Sequence, residues 1–303
     1  MPHPASSRLR RAGPGTILAW LLLWAAACAP ARPPAPPPGL RLGPAPLVSV
    51  VDLPGRWGGF QRILILSPRR PRVLLVLLPG GDGVLALDPL GQIHRGQDQP
   101  LVRAAPEMVG YGLGLILVDA PSEQWDQGGL DGGYRCGVRH RQDLMAVLDY
   151  LEGRWPGVPR WAVGYGRGAL SAARLALPMD QDLVDGLVLV SPPGLEQKGP
   201  CSLRRLPLEE IRVPTLIIQH EQDACPGFAL EGSRRLLVRL KSARESELLA
   251  VRGGASSGPP CSYTSFHGFA GRIRDLGLAL VRWVLTVQFP GLVQPSRPRQ
   301  VLP

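Results

Sequence analysis

The sequence lacks the patterns that mark several common functional classes. It has five histidines in 303 residues, and His94, His140 and His220 do not stand at metal-ligand spacings, so surface or packing roles are expected for them and neither a metal site nor a cofactor is predicted. No basic run is interleaved with aromatic residues, so the net charge of +10 does not indicate nucleic-acid binding. The apolar segments show no short repeat, which argues against a solenoid.

An apolar run long enough to cross a bilayer is also missing at the N-terminus. The run from Ile17 to Ala27 is too short to span a membrane stably. It follows Arg8, Arg10 and Arg11 and ends in small residues, which is the layout of a secretory signal. We therefore predict a signal peptide over residues 1–27.

Cys28 follows this segment directly, after Ala25, Ala26 and Ala27. A cysteine in that place resembles a bacterial lipobox, although leucine is usual where Ala25 stands. We expect Cys28 to be lipidated and to hold a periplasmic protein on the outer membrane. Ordinary secretory cleavage after an Ala-x-Ala sequence is the alternative. Residues 28–46 are rich in proline and have no periodic apolar face, so they are predicted to form a semi-rigid tether. Residues 291–303 are expected to be a flexible tail.

Between these segments, residues 47–290 alternate between apolar strands and amphipathic helices. Two apolar segments around the turn-rich sequence PGRWGG predict a hairpin over 47–67. Continuous apolar strands separated by helices indicate a mostly parallel sheet that is covered on both faces. The predicted strands are 73–83, 113–121, 160–165, 185–193, 213–220 and 245–253, and the predicted helices are 141–155, 167–177, 229–240 and about 271–287.

One strand-to-helix junction has an unusual sequence, VGYGRGALSAA at residues 163–173. Gly164 and Gly168 stand where the G-x-S-x-G nucleophile elbow has its glycines, and Gly166 stands where that motif has its serine. With the glycine-rich sequence LPGGDG at 78–83 and the order of elements, the chain resembles the α/β-hydrolase superfamily of serine esterases and lipases over roughly residues 47–290. The resemblance implies an α/β-hydrolase fold with a nucleophile position occupied by Gly166.

The same resemblance implies roles for four further residue positions. Asp223, a few residues after a strand, is at the usual place of the triad acid, with Glu221 as the alternate candidate. His267, just before the terminal helix, is at the place of the general base. One amide of the oxyanion hole would come from Gly81 or Asp82, and the other from Arg167. A tight glycine turn and a solvated loop carboxylate are the structural alternatives for the glycine loop and for Asp223.

The presumed fold suggests how the four remaining cysteines pair. Cys225 and Cys261 lie close to Asp223 and His267, so a disulfide between them would pin the acid loop to the histidine loop. Cys136 and Cys201 would then form the second pair. Four cysteines allow three pairings, and an exported protein permits disulfides.

Glycine has no side chain that could attack a carbonyl, so ordinary serine-esterase chemistry is not expected. We predict a cell-envelope protein of α/β-hydrolase type that retains a pocket for a small-molecule or ester-like ligand. Two alternatives stay open. One is an active hydrolase that uses Ser191 or a water held by His267 and Asp223, and the other is a non-catalytic scaffold. Ser171 lies too far round its helix to replace the missing serine.

Overall fold

The computed structural model describes residues 46–55, 58–130, 132–178, 182–199 and 201–290. The predicted signal peptide, Cys28, nearly all of the predicted tether and the tail at 291–303 lie outside these ranges. Within them, no helix combines the length and the apolar character that a membrane crossing requires.

Eight strands form one sheet, in the spatial order β1-β2-β4-β3-β5-β6-β7-β8. β1 and β2 make the predicted antiparallel hairpin, and β2 also runs antiparallel to β4. The strands β3 to β8 are parallel to one another, so their carboxyl ends meet at one edge. The strands are β1 (Leu47–Pro54), β2 (Phe60–Ser67), β3 (Val73–Leu78), β4 (Leu113–Val118), β5 (Arg160–Tyr165), β6 (Gly186–Val190), β7 (Thr215–His220) and β8 (Ser246–Val251).

Helices cover both faces of the sheet. In the described part of the chain they are α1 (Pro100–Met108), α2 (Gly132–Cys136), α3 (Val138–Arg154), α4 (Gly168–Ala176), α5 (Leu230–Arg239) and α6 (Ile273–Gln288). Several predicted strands were too long: β3 ends at Leu78 and β4 at Val118, because the residues that follow turn away into proline- and glycine-containing loops. The predicted helix over 141–155 begins three residues earlier, at Val138.

Two apolar clusters lie on opposite faces of the sheet, because successive side chains of a strand point to opposite sides. On one face Leu74 and Val76 of β3 pack with residues of α3, α4 and α5. On the other face Leu75 and Leu77 pack with residues of α1 and α6. The strands β3 and β4 are fully buried along their length, which is why their sequences are continuously apolar.

Sequence reasoning missed α1 and α2. The segment of α1 contains two prolines, Pro100 in the first turn and Pro106 inside the helix. A proline suits the first turn, but inside a helix it removes a hydrogen bond. The signal that could have found α1 is its buried stripe, Leu101, Ala104, Ala105 and Met108, which has helical spacing.

Candidate functional site

The junction between β5 and α4 is a sharp turn centred on Gly166. Its φ angle is +53°, in the left-handed region that a residue with a side chain enters only at a cost. The Gly166 amide donates to the carbonyl of Val190 on β6 at 2.9 Å, and its own carbonyl accepts from the Ala169 amide at 3.1 Å. The turn is thereby fixed between two neighbouring strands and the first turn of the helix.

The three glycines of this junction are required for different reasons. A Cβ on Gly164 would lie 2.4 Å from the Gly168 carbonyl oxygen, and a Cβ on Gly168 would lie 2.2 Å from that of Leu78. These two positions therefore exclude any side chain. Within 4 Å, a Cβ on Gly166 would meet only the Cα of Gly80 among the described residues that do not adjoin it, at 3.8 Å. The backbone conformation therefore limits which residues position 166 accepts, whereas the surrounding atoms leave room for a Cβ.

Asp223 and His267 form a hydrogen-bonded pair at the same edge of the sheet. His267 Nδ1 lies 2.8 Å from Asp223 Oδ2, and the two side chains are 8% and 0% exposed. The carboxylate also accepts from Gln219 Nε2 at 2.8 Å and from the Cys225 amide at 2.9 Å. With Nδ1 donating to the carboxylate, Nε2 is the nitrogen available to a reacting group or a ligand. Glu221, the alternate acid, is paired with Arg252 instead.

Aromatic rings connect this pair with the turn at Gly166. The His267 ring centre lies 5.4 Å from that of Tyr165, the residue before Gly166, and 4.7 Å from that of Phe228. Tyr165 in turn lies 6.2 Å from Tyr263. The Tyr263 hydroxyl would be 3.6 Å from a Cβ on Gly81. These rings therefore link the histidine loop, the turn and the glycine-rich loop in one region.

Both predicted disulfides are present. Cys225 is bonded to Cys261 and Cys136 to Cys201. The first bond joins the loop of Asp223 to the loop that leads to His267. The second joins the end of α2 to the loop after β6. The pairing confirms the prediction made from the expected proximity of the loops.

The glycine-rich loop after β3 is held from below by Arg135. This side chain is 1% exposed, and its guanidinium donates to the carbonyls of Pro79 at 3.1 Å and Gly81 at 3.2 Å. It also donates to Ser171 Oγ at 3.0 Å. No carboxylate of a described residue forms an ion pair with it. Burial, together with the charge of Arg167, lowers the pKa of Arg135 to about 9.

Arg135 also determines which way the peptide groups of the loop face. In a trans peptide the carbonyl and the following N–H point in opposite directions. Because the Gly81 carbonyl faces Arg135, the Asp82 N–H is directed away from that side chain. The Gly80 amide is already used, donating to Gln99 Oε1 at 2.8 Å. Among the described residues no hydrogen bond uses the Gly81 or the Asp82 amide, so both stay predicted donors. Asp82 is the one whose direction the Gly81 carbonyl fixes.

The three histidines for which surface or packing roles were expected have contacts of that kind. Burial lowers the pKa of His140 to about 3, so it is neutral, and its Nε2 lies 2.8 Å from Ser171 Oγ. His220 stacks on Phe266 with ring centres 4.5 Å apart. His94 is exposed and lies beside Asp88.

Ser191, the other nucleophile considered, is fully buried with φ +41°. Its hydroxyl donates to the main-chain carbonyl of His267 at 3.4 Å.

A cavity of about 290 Å³ lies elsewhere on the molecule, lined by Leu47, Ser49, Ile65, Ser67, Pro68, Arg69, Arg154 and Trp155. Ser67 ends β2, which runs antiparallel to β4. The cavity is therefore near the amino ends of the parallel strands, opposite the edge that carries Gly166 and His267.

Sequence reasoning missed Arg135, Tyr165 and Phe228 as parts of this region. Arg135 lies in a loop that has no diagnostic motif, and its partners are 36 to 56 residues away along the chain. The available signal was its place directly before Cys136, whose disulfide anchors the segment.

Comparison with known proteins finds similar structures but no similar sequences. No protein-family model matches the sequence, and no curated protein matches it. A dienelactone hydrolase from Anabaena variabilis is 14% identical with a TM-score of 0.57, over 80% of this chain and 98% of its own. An esterase from Pyrococcus furiosus is 14% identical with a TM-score of 0.54, over 84% and 98%. The esterase domain of a Rhodothermus marinus protein is 10% identical with a TM-score of 0.53, over 78% and 98%. The sheet order and these likenesses confirm that the chain has the α/β-hydrolase fold.

Proposed function

We propose that this chain is an α/β-hydrolase-like protein of the bacterial cell envelope that binds a small acyl-bearing ligand without forming an acyl-enzyme. Gly166 occupies the nucleophile position, Asp223 and His267 are the acid and base that remain, and the amides of Asp82 and Arg167 are the oxyanion donors. The observation that carries the proposal is the left-handed turn at Gly166 beside an intact Asp223–His267 pair.

The missing oxygen is what separates this site from a working serine esterase. In such an enzyme the serine hydroxyl passes its proton to histidine and attacks the substrate carbonyl. Gly166 has no atom that can form this bond, so the covalent route is closed. The donors that would stabilise a carbonyl oxygen do not depend on the serine, so a ligand carbonyl can still be bound by them.

A second candidate is a hydrolase that uses water, since the Asp223–His267 pair is kept and Nε2 has no partner among the described residues. In that reaction His267 takes a proton from a bound water, the hydroxide attacks the ester carbonyl, and the proton passes to the leaving alcohol. Ser191 is a weaker nucleophile candidate, because its hydroxyl faces a main-chain carbonyl and not the imidazole.

A fluorophosphonate probe and an ester assay together separate these candidates. We expect the purified protein to resist labelling by the probe. It should hydrolyse p-nitrophenyl acetate no faster than the His267→Gln variant. Hydrolysis that His267→Gln abolishes, without labelling, supports the water mechanism. Labelling at Ser191 contradicts both candidates.

The location is proposed from the N-terminal sequence. Export would be followed by lipidation of Cys28, with residues 29–46 as the tether to the outer membrane. Cells fed an alkyne fatty acid should label the wild-type protein and leave Cys28→Ala unlabelled. Equal labelling of the two would contradict the anchor.

A further inference from the structure

Two arginines without carboxylate partners lie next to Gly166. Arg167 follows it directly, and Arg135 lies beneath the loop whose Gly80 Cα is the nearest atom to the missing side chain. Among the described residues neither forms an ion pair. A buried cation without a counter-ion is costly, so this region carries positive charge that nothing in the described chain neutralises directly.

The backbone adds to this positive character. Helix α4 begins at Gly168, and it has neither a side-chain cap nor an acidic residue in its first turn. The amides of Ala169 and Leu170 are used within the turn, whereas those of Arg167 and Gly168 donate to no described residue. Free amides at the start of a helix favour an anion.

The nearby carboxylates offset this charge only in part: Asp82 acts to raise the pKa of Arg135, by less than burial and the charge of Arg167 lower it. Asp82 is bound to Arg95 on the exposed side of the loop, at 2.5 Å. Asp223 is directed at His267 and Gln219. Nε2 of His267 has no partner among the described residues, and the His267 side chain is 8% exposed. The described residues around the turn at Gly166 therefore supply possible donors and cations, and Gly80 Cα is the atom nearest to the absent side chain.

We propose that the ligand is an ionised carboxylic acid, bound by its carboxylate in the space where Gly166 has no side chain. One oxygen takes the place of a serine Oγ, beside His267 Nε2. The other accepts from the amides of Asp82 and Arg167, while the Arg167 charge and the field of Arg135 stabilise the anion. The inference rests on the proposed function and names its ligand class: an acid, and not the ester that an esterase would bind.

The test uses the full-length mature protein with straight-chain acids from acetate to octanoate, each paired with its primary amide and its methyl ester. Isothermal titration calorimetry gives the affinities, and ¹⁵N-labelled histidine locates binding through the His267 signal. Arg167→Gln removes one charge beside the site. Arg103→Gln is the matched control, because Arg103 is an exposed arginine on α1.

We expect at least one acid to bind about tenfold or more tightly than its amide and ester, and to shift the His267 signal. Arg167→Gln should weaken that acid about tenfold and leave the amide within twofold, and Arg103→Gln should change neither. An amide or ester that binds as well as the acid, or an acid unaffected by Arg167→Gln, overturns the ligand class but leaves the proposed ligand-binding function standing. Inorganic phosphate that binds as tightly and displaces the acid also overturns it, in favour of a general anion site. Absence of binding by the whole series contradicts the proposed function as well.

Discussion

Replacing Gly166 by serine directly tests the proposal that this residue occupies a nucleophile position. The structure leaves room for a Cβ at this position, since among the described residues beyond its neighbours only Gly80 Cα lies within 4 Å, at 3.8 Å. The cost is therefore that of a side chain at φ +53°, about 1–2 kcal/mol. For a domain of this size that corresponds to a melting temperature lower by about 2–8 °C. Gly166→Ala should show the same loss, because it has the same backbone cost without the oxygen.

The serine should also restore chemistry that glycine cannot perform. Under the proposed assignment its hydroxyl lies beside His267, whose action as general base contributes about 10²–10⁴-fold in rate. We expect Gly166→Ser to hydrolyse p-nitrophenyl acetate at least about 100-fold faster than Gly166→Ala, and to react with a fluorophosphonate. Adding His267→Gln should abolish both. A folded Gly166→Ser protein that shows the expected stability loss, yet neither reacts with the probe nor hydrolyses the ester, would refute the assignment of Gly166.

Three further predictions concern stability. His140 has a pKa of about 3 in the folded protein, well below its unfolded value, so the free energy of unfolding should fall as the pH drops below about 6.5. Between pH 7.5 and 5, urea unfolding should show a loss of about 2 kcal/mol that the His140→Gln variant lacks. Equal losses in the two proteins would contradict this. Replacing both Cys225 and Cys261 by serine should cost up to about 4 kcal/mol and speed hydrogen exchange first around Asp223 and His267; uniform exchange would contradict the local effect. Arg135→Met should destabilise by about 2–4 kcal/mol, because the carbonyls of Pro79 and Gly81 lose their donor, whereas Arg103→Met, measured by the same denaturation, should change stability by less than about 0.5 kcal/mol.

The sequence was sufficient to predict how the chain is layered and which loops meet. Parallel strands bring their carboxyl ends together whatever the loop lengths. Gly166, Asp223 and His267 were expected at that edge because the resemblance to the α/β-hydrolase superfamily places a nucleophile, an acid and a histidine there. The same reasoning selected the pairing of Cys225 with Cys261.

The parts that sequence reasoning missed depend on contacts between distant segments. Nothing in the sequence around Arg135 distinguishes it from an ordinary surface arginine. Only the folded loop shows that it is buried beneath Pro79 and Gly81. Likewise, Pro106 lies inside α1, where a proline disfavours a helix by local propensity but tertiary packing stabilises one. Local propensity cannot show either outcome, because the stabilising partners are supplied by other elements.

The three glycines of the β5–α4 junction also differ in how mutation can explore them. Any substitution at Gly164 or Gly168 meets backbone atoms and should be removed by selection for folding. At Gly166 the obstacle is only the backbone conformation, and a GGT or GGC glycine codon becomes a serine codon by a single nucleotide change. Under the proposed function, serine is thus continually within mutational reach of this position, at a cost that a stable domain can tolerate. Retention of glycine at 166 in lineages that carry these codons would then show selection against serine, through its cost in stability or through the activity it introduces, and resequencing would measure it.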